Sequence, residues 1–97
     1  MTEAQYQSKL KERIKERMPD AFIMKIDPTT SGIQGFADLL ILRNNKWAVL
    51  EVKKDEKAHH QPNQDYYVEK VKEMGNFSAF IFPQNEKEVL DALERAL

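Results

Sequence analysis

Cysteine is absent from the 97 residues. That excludes disulfides and thiolate metal sites, so any metal must be held by oxygen or imidazole ligands. No apolar run approaches the ~20 residues needed to cross a bilayer, and no charged-then-apolar leader with a cleavage site is recognisable at the start. A cytosolic chain without membrane contact is therefore expected. Excess charge of either sign is also missing, with 15 Lys or Arg against 16 Asp or Glu, which argues against an indiscriminate nucleic-acid binder with a basic surface all round. With only three Gly and four Pro there is no internal linker, repeat or low-complexity stretch. One small domain over 1–97 is the most the chain can form.

What is present reads as alternating elements. Tyr6, Leu10, Ile14 and Met18 recur every four residues and put one apolar stripe on a helix from Glu3 to Met18, stopped by Pro19-Asp20. Residues 21–26 read as a first strand and Asp27 to Gly35 as a loop of turn-formers whose two glycines permit a close backbone approach. Residues 37–43 and 46–53 form two apolar strands around Asn44-Asn45, a suitable two-residue hairpin turn because Asn tolerates positive φ. Pro62 opens a helix that runs to Met74 and is capped by Gly75, with Tyr67, Val71 and Met74 as its apolar stripe. Phe77 to Phe82 is a fourth strand. Asn85 with Glu88 resembles a capping box ahead of a helix bearing Val89, Leu90, Leu93 and Leu97. The order is α-β-β-β-α-β-α, and the helix between strands three and four requires a crossover that pairs those strands in parallel.

The hairpin register follows from its turn. If Arg43 pairs with Lys46, paired positions sum to 89 and Asp38 stands opposite Glu51. Two opposed carboxylates within apolar strands destabilise a sheet, their Cβ atoms being ~5 Å apart, unless something positive comes between them. A hard divalent cation such as Mg²⁺ or Mn²⁺ does so. Alternation along the strand puts Lys53 on the same face as Glu51. Two acids and a lysine around a metal-activated water form a phosphodiester-hydrolysis constellation. On this reading Asp38→Ala abolishes cleavage and leaves the metal-free fold intact or more stable, because one of two opposed charges is removed.

Ser31-Gly32-Ile33, Ala37-Asp38-Leu39-Leu40, Leu50-Glu51-Val52-Lys53-Lys54 and the later Gln64 resemble the PD-(D/E)XK nuclease superfamily, and within it the virus-type replication-repair nuclease (VRR-NUC) domains. Ala37 departs from the family pattern, which usually has Pro there. The resemblance implies a restriction-endonuclease-like α/β (α+β) core with a central mixed four-stranded sheet flanked by helices. It implies a catalytic set of Asp38, Glu51, Lys53 and Gln64, with Mg²⁺ or Mn²⁺ held by Asp38, Glu51 and the Val52 carbonyl. Glu3, with Gln7 after it, is a further candidate ligand because an N-terminal Glu recurs in such domains. The activity implied is DNA endonuclease cleavage, selective for branched DNA such as a four-way junction, by a homodimer; a phage-encoded origin would fit.

Charge distribution supplies the remaining candidates. Residues 1–60 carry 11 Lys or Arg against 9 Asp or Glu, and residues 61–97 carry 4 against 7. Lys54 and Lys57 adjoin the acids and are placed on phosphate, together with His60 and the loop residues Ser31, Gly32 and Gln34. His59 and His60 are unsuitable as joint metal ligands because neighbours in an extended chain point opposite ways. Apolar residues left over on the C-terminal helix are expected to need a partner. Two alternatives remain open: a sequence-specific or nicking nuclease using the same site, and a nucleic-acid-binding module on a nuclease scaffold without turnover.

Overall fold

The computed structural model describes residues 1–27 and 33–97. Helix α1 spans Glu3–Arg17, β1 Phe22–Lys25, β2 Leu39–Arg43, β3 Lys46–Val52, α2 Gln64–Glu73, β4 Phe77–Ile81 and α3 Glu86–Ala96. The strands form one sheet in the order β1-β2-β3-β4, antiparallel at the first two interfaces and parallel between β3 and β4. The hairpin register is the expected one, from Leu39 opposite Leu50 to Arg43 opposite Lys46. Asn44 adopts the left-handed conformation at φ 58°, as a two-residue turn of this kind demands.

Alternation along the strands divides the sheet into two buried faces. Leu39, Ile41, Leu50, Val52 and Ile81 join Leu10 and Ile14 of α1 and Leu90 and Leu93 of α3 in the larger core. On the opposite face Ala37, Val49 and Val71 pack with the partly buried Phe36, Leu40 and Trp47, beneath α2. The apolar stripe of α3 is thus consumed within the domain and does not await a partner. Arg13 and Arg17 of α1 reach Glu86, Asp91 and Glu94 of α3 at 2.7–3.0 Å. Half-exposed pairs of this kind contribute only ~0.2–1 kcal/mol each, so the apolar contacts hold the helices and the ion pairs align them. Among the described residues no helix is long and apolar enough to cross a membrane.

Three local expectations differ from the structure. Helix α2 begins at Gln64, two residues after Pro62, because Asn63 is left-handed at φ 76° and cannot belong to the helix. Its buried residues are Val68 and Val71, while Met74, the C-cap residue, is 61% exposed. Asn85 does not cap α3 with its side chain. Its carboxamide turns back to the end of β4, accepting from the Phe82 amide at 2.9 Å and donating to the Phe80 carbonyl at 3.1 Å. An Asn side chain can satisfy either backbone segment, and here it meets one donor and one acceptor at the strand end.

The two described glycines do different work. Gly75 ends α2 in a Schellman arrangement, its amide bonding to the Lys72 carbonyl and the Asn76 amide to the Val71 carbonyl. Gly35, at φ 84°, lies where a Cβ would come 2.8 Å from the Pro62 carbonyl oxygen and 3.0 Å from the Asn63 Cβ. The close approach expected near Asp38 is therefore filled, at Gly35, by the segment leading into α2. Gly75→Ala should cost about 1–2 kcal/mol, the left-handed penalty alone, since nothing lies within 4 Å of the added methyl. Gly35→Ala should cost clearly more, because backbone must also move; urea unfolding of the two variants compares them directly.

Candidate active site

The first two acids meet where the hairpin ladder ends. Regular pairing stops at Leu39, and the Asp38 amide bonds to the Leu50 carbonyl at 3.0 Å, one residue short of Glu51. The direct Asp38–Glu51 cross-strand pair is thus replaced by an offset. The offset frees the Asp38 side chain to bend inward, and its Oδ2 accepts from the Val52 amide at 2.8 Å. A carboxylate here stands where a strand carbonyl would otherwise bond. Because the N–H and C=O of a strand residue point to the same neighbour, the Val52 carbonyl faces the Asp38 side as well.

Glu51 is 3% exposed. Burial first, and the Asp38 carboxyl second, push its pKa up to about 9. One oxygen, Oε1, accepts from Gln64 Nε2 at 2.7 Å; the other, Oε2, is buried without a donor beside it, and a hydrogen bond with the Asp38 carboxyl helps Glu51 keep its proton. Glu3 is also raised above its ordinary value, by burial and then by Asp38, with Lys53 and Lys54 pulling the other way. Its carboxylate therefore feels the site, although no cluster of three or more His, Asp or Glu able to hold a metal occurs among the described residues.

Lys53 follows β3 directly, and although only 5% exposed it is well partnered. Its Nζ donates to the His59 carbonyl at 3.0 Å and to Gln64 Oε1 at 2.6 Å. Gln64 Oε1 also accepts from the Gln61 amide at 2.7 Å. The carboxamide thus bridges acid and base, and its orientation is dictated chemically. An ammonium can only donate, so the amide oxygen must face Lys53, which leaves the amide nitrogen to donate to Glu51. The four residues expected to act together are brought together: Asp38, Glu51 and Gln64 line a cleft of about 510 Å³, and Lys53 lies behind Gln64. A cavity of about 550 Å³ between α1 and β1 contains none of them.

No family model matches the sequence, and no curated protein is similar to it. Solved structures are similar. One, described as a VRR_NUC domain protein, superposes with a TM-score of 0.72 over 100% of this chain and 88% of its own, at 18% identity. A second, described as a VRR_NUC domain, superposes with a TM-score of 0.71 over 92% of this chain and 94% of its own, at 26% identity. The chain has the fold of a VRR-NUC domain. That kinship supports a nuclease-type function.

The residues expected to contact nucleic acid are spread more widely. Gln34 is exposed and lines the same cleft as the acids. Lys54 and Lys57 are exposed on the connection after β3. Ser31 and Gly32 lie outside the described residues. His60 is engaged within the domain, its ring stacked on Phe80 at 4.2 Å and its Nδ1 3.0 Å from Asp65 Oδ1. Sequence reasoning missed the backbone of the connection itself, the His59 carbonyl and the Gln61 amide. A Gln three residues after Gln61, at a helix start, was the available signal.

The buried acid generates a stability prediction. Glu51 is a carboxyl whose folded pKa, about 9, lies above its ordinary 4.5. Between those values the native state holds a proton that the unfolded chain has released, so stability falls as pH rises. The contribution is complete below pH 4.5 and lost once pH passes 9. In metal-free buffer the melting temperature of the wild type should decline from pH 5 to pH 9, whereas Glu51→Gln, which keeps an acceptor for Gln64, should decline less and melt higher at pH 8. The Asp38→Ala expectation also changes, because this variant leaves the buried Val52 amide without its acceptor, at a cost of ~1–3 kcal/mol. Asp38→Asn keeps that bond and isolates the effect of charge.

Proposed function

We propose that the domain is a divalent-metal-dependent DNA endonuclease, selective for branched DNA such as a four-way junction and working as a homodimer. The observation that carries the reading is that Asp38 and the buried Glu51 line one cleft with Gln64, whose amide joins Glu51 to Lys53 behind it. Two carboxyl groups, one with a buried oxygen that no protein donor satisfies, form a hard-oxygen donor set suited to Mg²⁺ or Mn²⁺. Asp38, Glu51 and the Val52 carbonyl would hold the ion, with Glu3 as a further ligand from α1. When bound, such an ion stabilises the negative charge that develops on the phosphate oxygens.

The chain's own groups supply the rest. Glu51 gives up the proton that burial makes it retain before it serves as a ligand. Lys53, an ammonium held by two acceptors, keeps a third N–H for the attacking water or a phosphate oxygen. Gln64 holds Lys53 and Glu51 at fixed separation, which is the positioning on which in-line displacement depends. Gln34, Lys54 and Lys57, with Ser31 and Gly32, are the proposed contacts to the DNA backbone. Lys54 acts electrostatically on Glu3 and Lys57 is exposed on the same connection, a local basic approach despite a net charge of −1.

Cleavage of an end-labelled four-way junction and of a linear duplex with matching arms, in Mg²⁺, Mn²⁺ or EDTA, tests this directly. The expected result is metal-dependent cutting placed symmetrically in the junction, with Lys53→Ala slower by about 10²–10³-fold, the usual loss on removing one preorganised donor. Cutting of the linear duplex at a fixed sequence would instead identify a sequence-specific enzyme. Absence of cutting in either DNA, with metal binding retained, would identify a binding module.

A further inference from the structure

The ten residues between Lys53 and Gln64 form a connection with no regular secondary structure, yet it supplies two of the groups that orient the site. The His59 carbonyl accepts from Lys53 Nζ, and the Gln61 amide donates to Gln64 Oε1. Backbone groups on an irregular segment orient a side chain only if the segment itself is held. Between them lies His60. Its ring is nearly parallel to that of Phe80, at an interplanar angle of 19° and a centroid distance of 4.2 Å. Its Nδ1 is 3.0 Å from Asp65 Oδ1, on the first turn of α2. Phe80 is the β4 residue directly opposite Glu51 in the parallel ladder, and Asp65 is the neighbour of Gln64. One side chain therefore joins the connection to the strand beside the acid and to the helix bearing the bridging amide.

We infer that His60 is a positioning residue: by stacking on Phe80 and bonding to Asp65 it holds the His59 carbonyl and the Gln61 amide where they orient Lys53 and Gln64. This assigns His60 a role inside the domain in place of the phosphate contact expected from sequence. A stacked aromatic pair and a single side-chain hydrogen bond are each modest interactions, but both act on a short segment whose ends are tied to Lys53 and Gln64. A displacement of about 1 Å at such a site is enough to lower turnover by as much as ~100-fold. Phe80 is itself steadied from behind, since the Asn85 carboxamide donates to its carbonyl.

The catalytic consequence rests on the nuclease reading, whereas the structural one does not, and the experiment separates them. Amide hydrogen exchange, resolved by residue, would be compared for wild type, His60→Ala, His60→Phe and Asp65→Asn, alongside kcat and KM for cleavage of the four-way junction in Mg²⁺. In His60→Ala the Gln61 amide should exchange about tenfold faster, the equivalent of one lost hydrogen bond, with Ile41 and Leu50 still protected. Its kcat should fall by about 10- to 100-fold with KM within about twofold of wild type. His60→Phe, which keeps the stack, should recover part of both losses. A raised KM at unchanged kcat would make His60 a DNA contact and overturn the inference, as would unchanged exchange at Gln61. Should His60→Ala lose protection throughout, the Phe and Asp65→Asn variants carry the same comparison. Should the wild type fail to cleave, the nuclease reading falls and exchange at Gln61 alone decides the role of His60.

Discussion

Two carboxyl groups forced together at the end of an apolar hairpin set the terms for everything around them. Asp38 is tied to the Val52 amide and cannot retreat, and Glu51 is too deeply buried to reach water. The conflict is met partly by protonation, since Glu51 is pushed up to about 9, and partly by the Gln64 amide. A neutral bridge is the group best suited to that place. It donates to the acid and accepts from the lysine without adding charge, whereas a charged residue there would satisfy one neighbour and repel the other.

The fold exists to bring those groups to one spot from distant parts of the chain. The hairpin provides Asp38, Glu51 and Lys53 within a sheet buried on both faces, where neighbouring side chains leave them little rotamer freedom. The parallel pairing of β3 with β4 then requires a crossover, and the crossover is α2, which starts with Gln64. Its point of entry is set by Asn63 in the left-handed region and by Gly35, whose missing Cβ lets Pro62 and Asn63 approach the segment before Asp38. The irregular connection between β3 and α2 is thus pinned at several points, among them Lys53, His60 and Gly35. Such pinning explains how a segment without secondary structure presents backbone groups at useful positions.

Burial and charge divide the labour between the two helical layers. The face covered by α1 and α3 is an uninterrupted apolar core, with ion pairs only at its rim. The face under α2 has a smaller apolar cluster and then opens into the cleft that holds the acids. Stability therefore resides mainly in the first layer, leaving the second able to carry buried polar groups whose desolvation the fold as a whole must offset. Among the described residues the exposed aromatic and sulfur-bearing side chains, Met1, Phe22, Met24, Tyr66 and Met74, take no part in the first layer's core.

Much of this was written locally and could be read without coordinates. Asn44-Asn45 between apolar runs dictated the hairpin and its register, because a two-residue turn fixes which residues face each other across it. From that register came the closeness of Asp38 and Glu51 and the shared face of Glu51 and Lys53. The period-four stripe of α1, the glycine ending α2 and the parallel crossover were equally local matters of spacing and turn chemistry. What tertiary structure decided were the contacts between segments far apart in sequence or lacking a period. These include the one-residue offset that swings Asp38 onto Val52, the start of α2 at Gln64, the return of Asn85 to β4, and the pairing of His60 with Phe80. Each depends on which backbone group or ring is left needing a partner once the sheet has closed, and no pattern within a short window of residues carries that information.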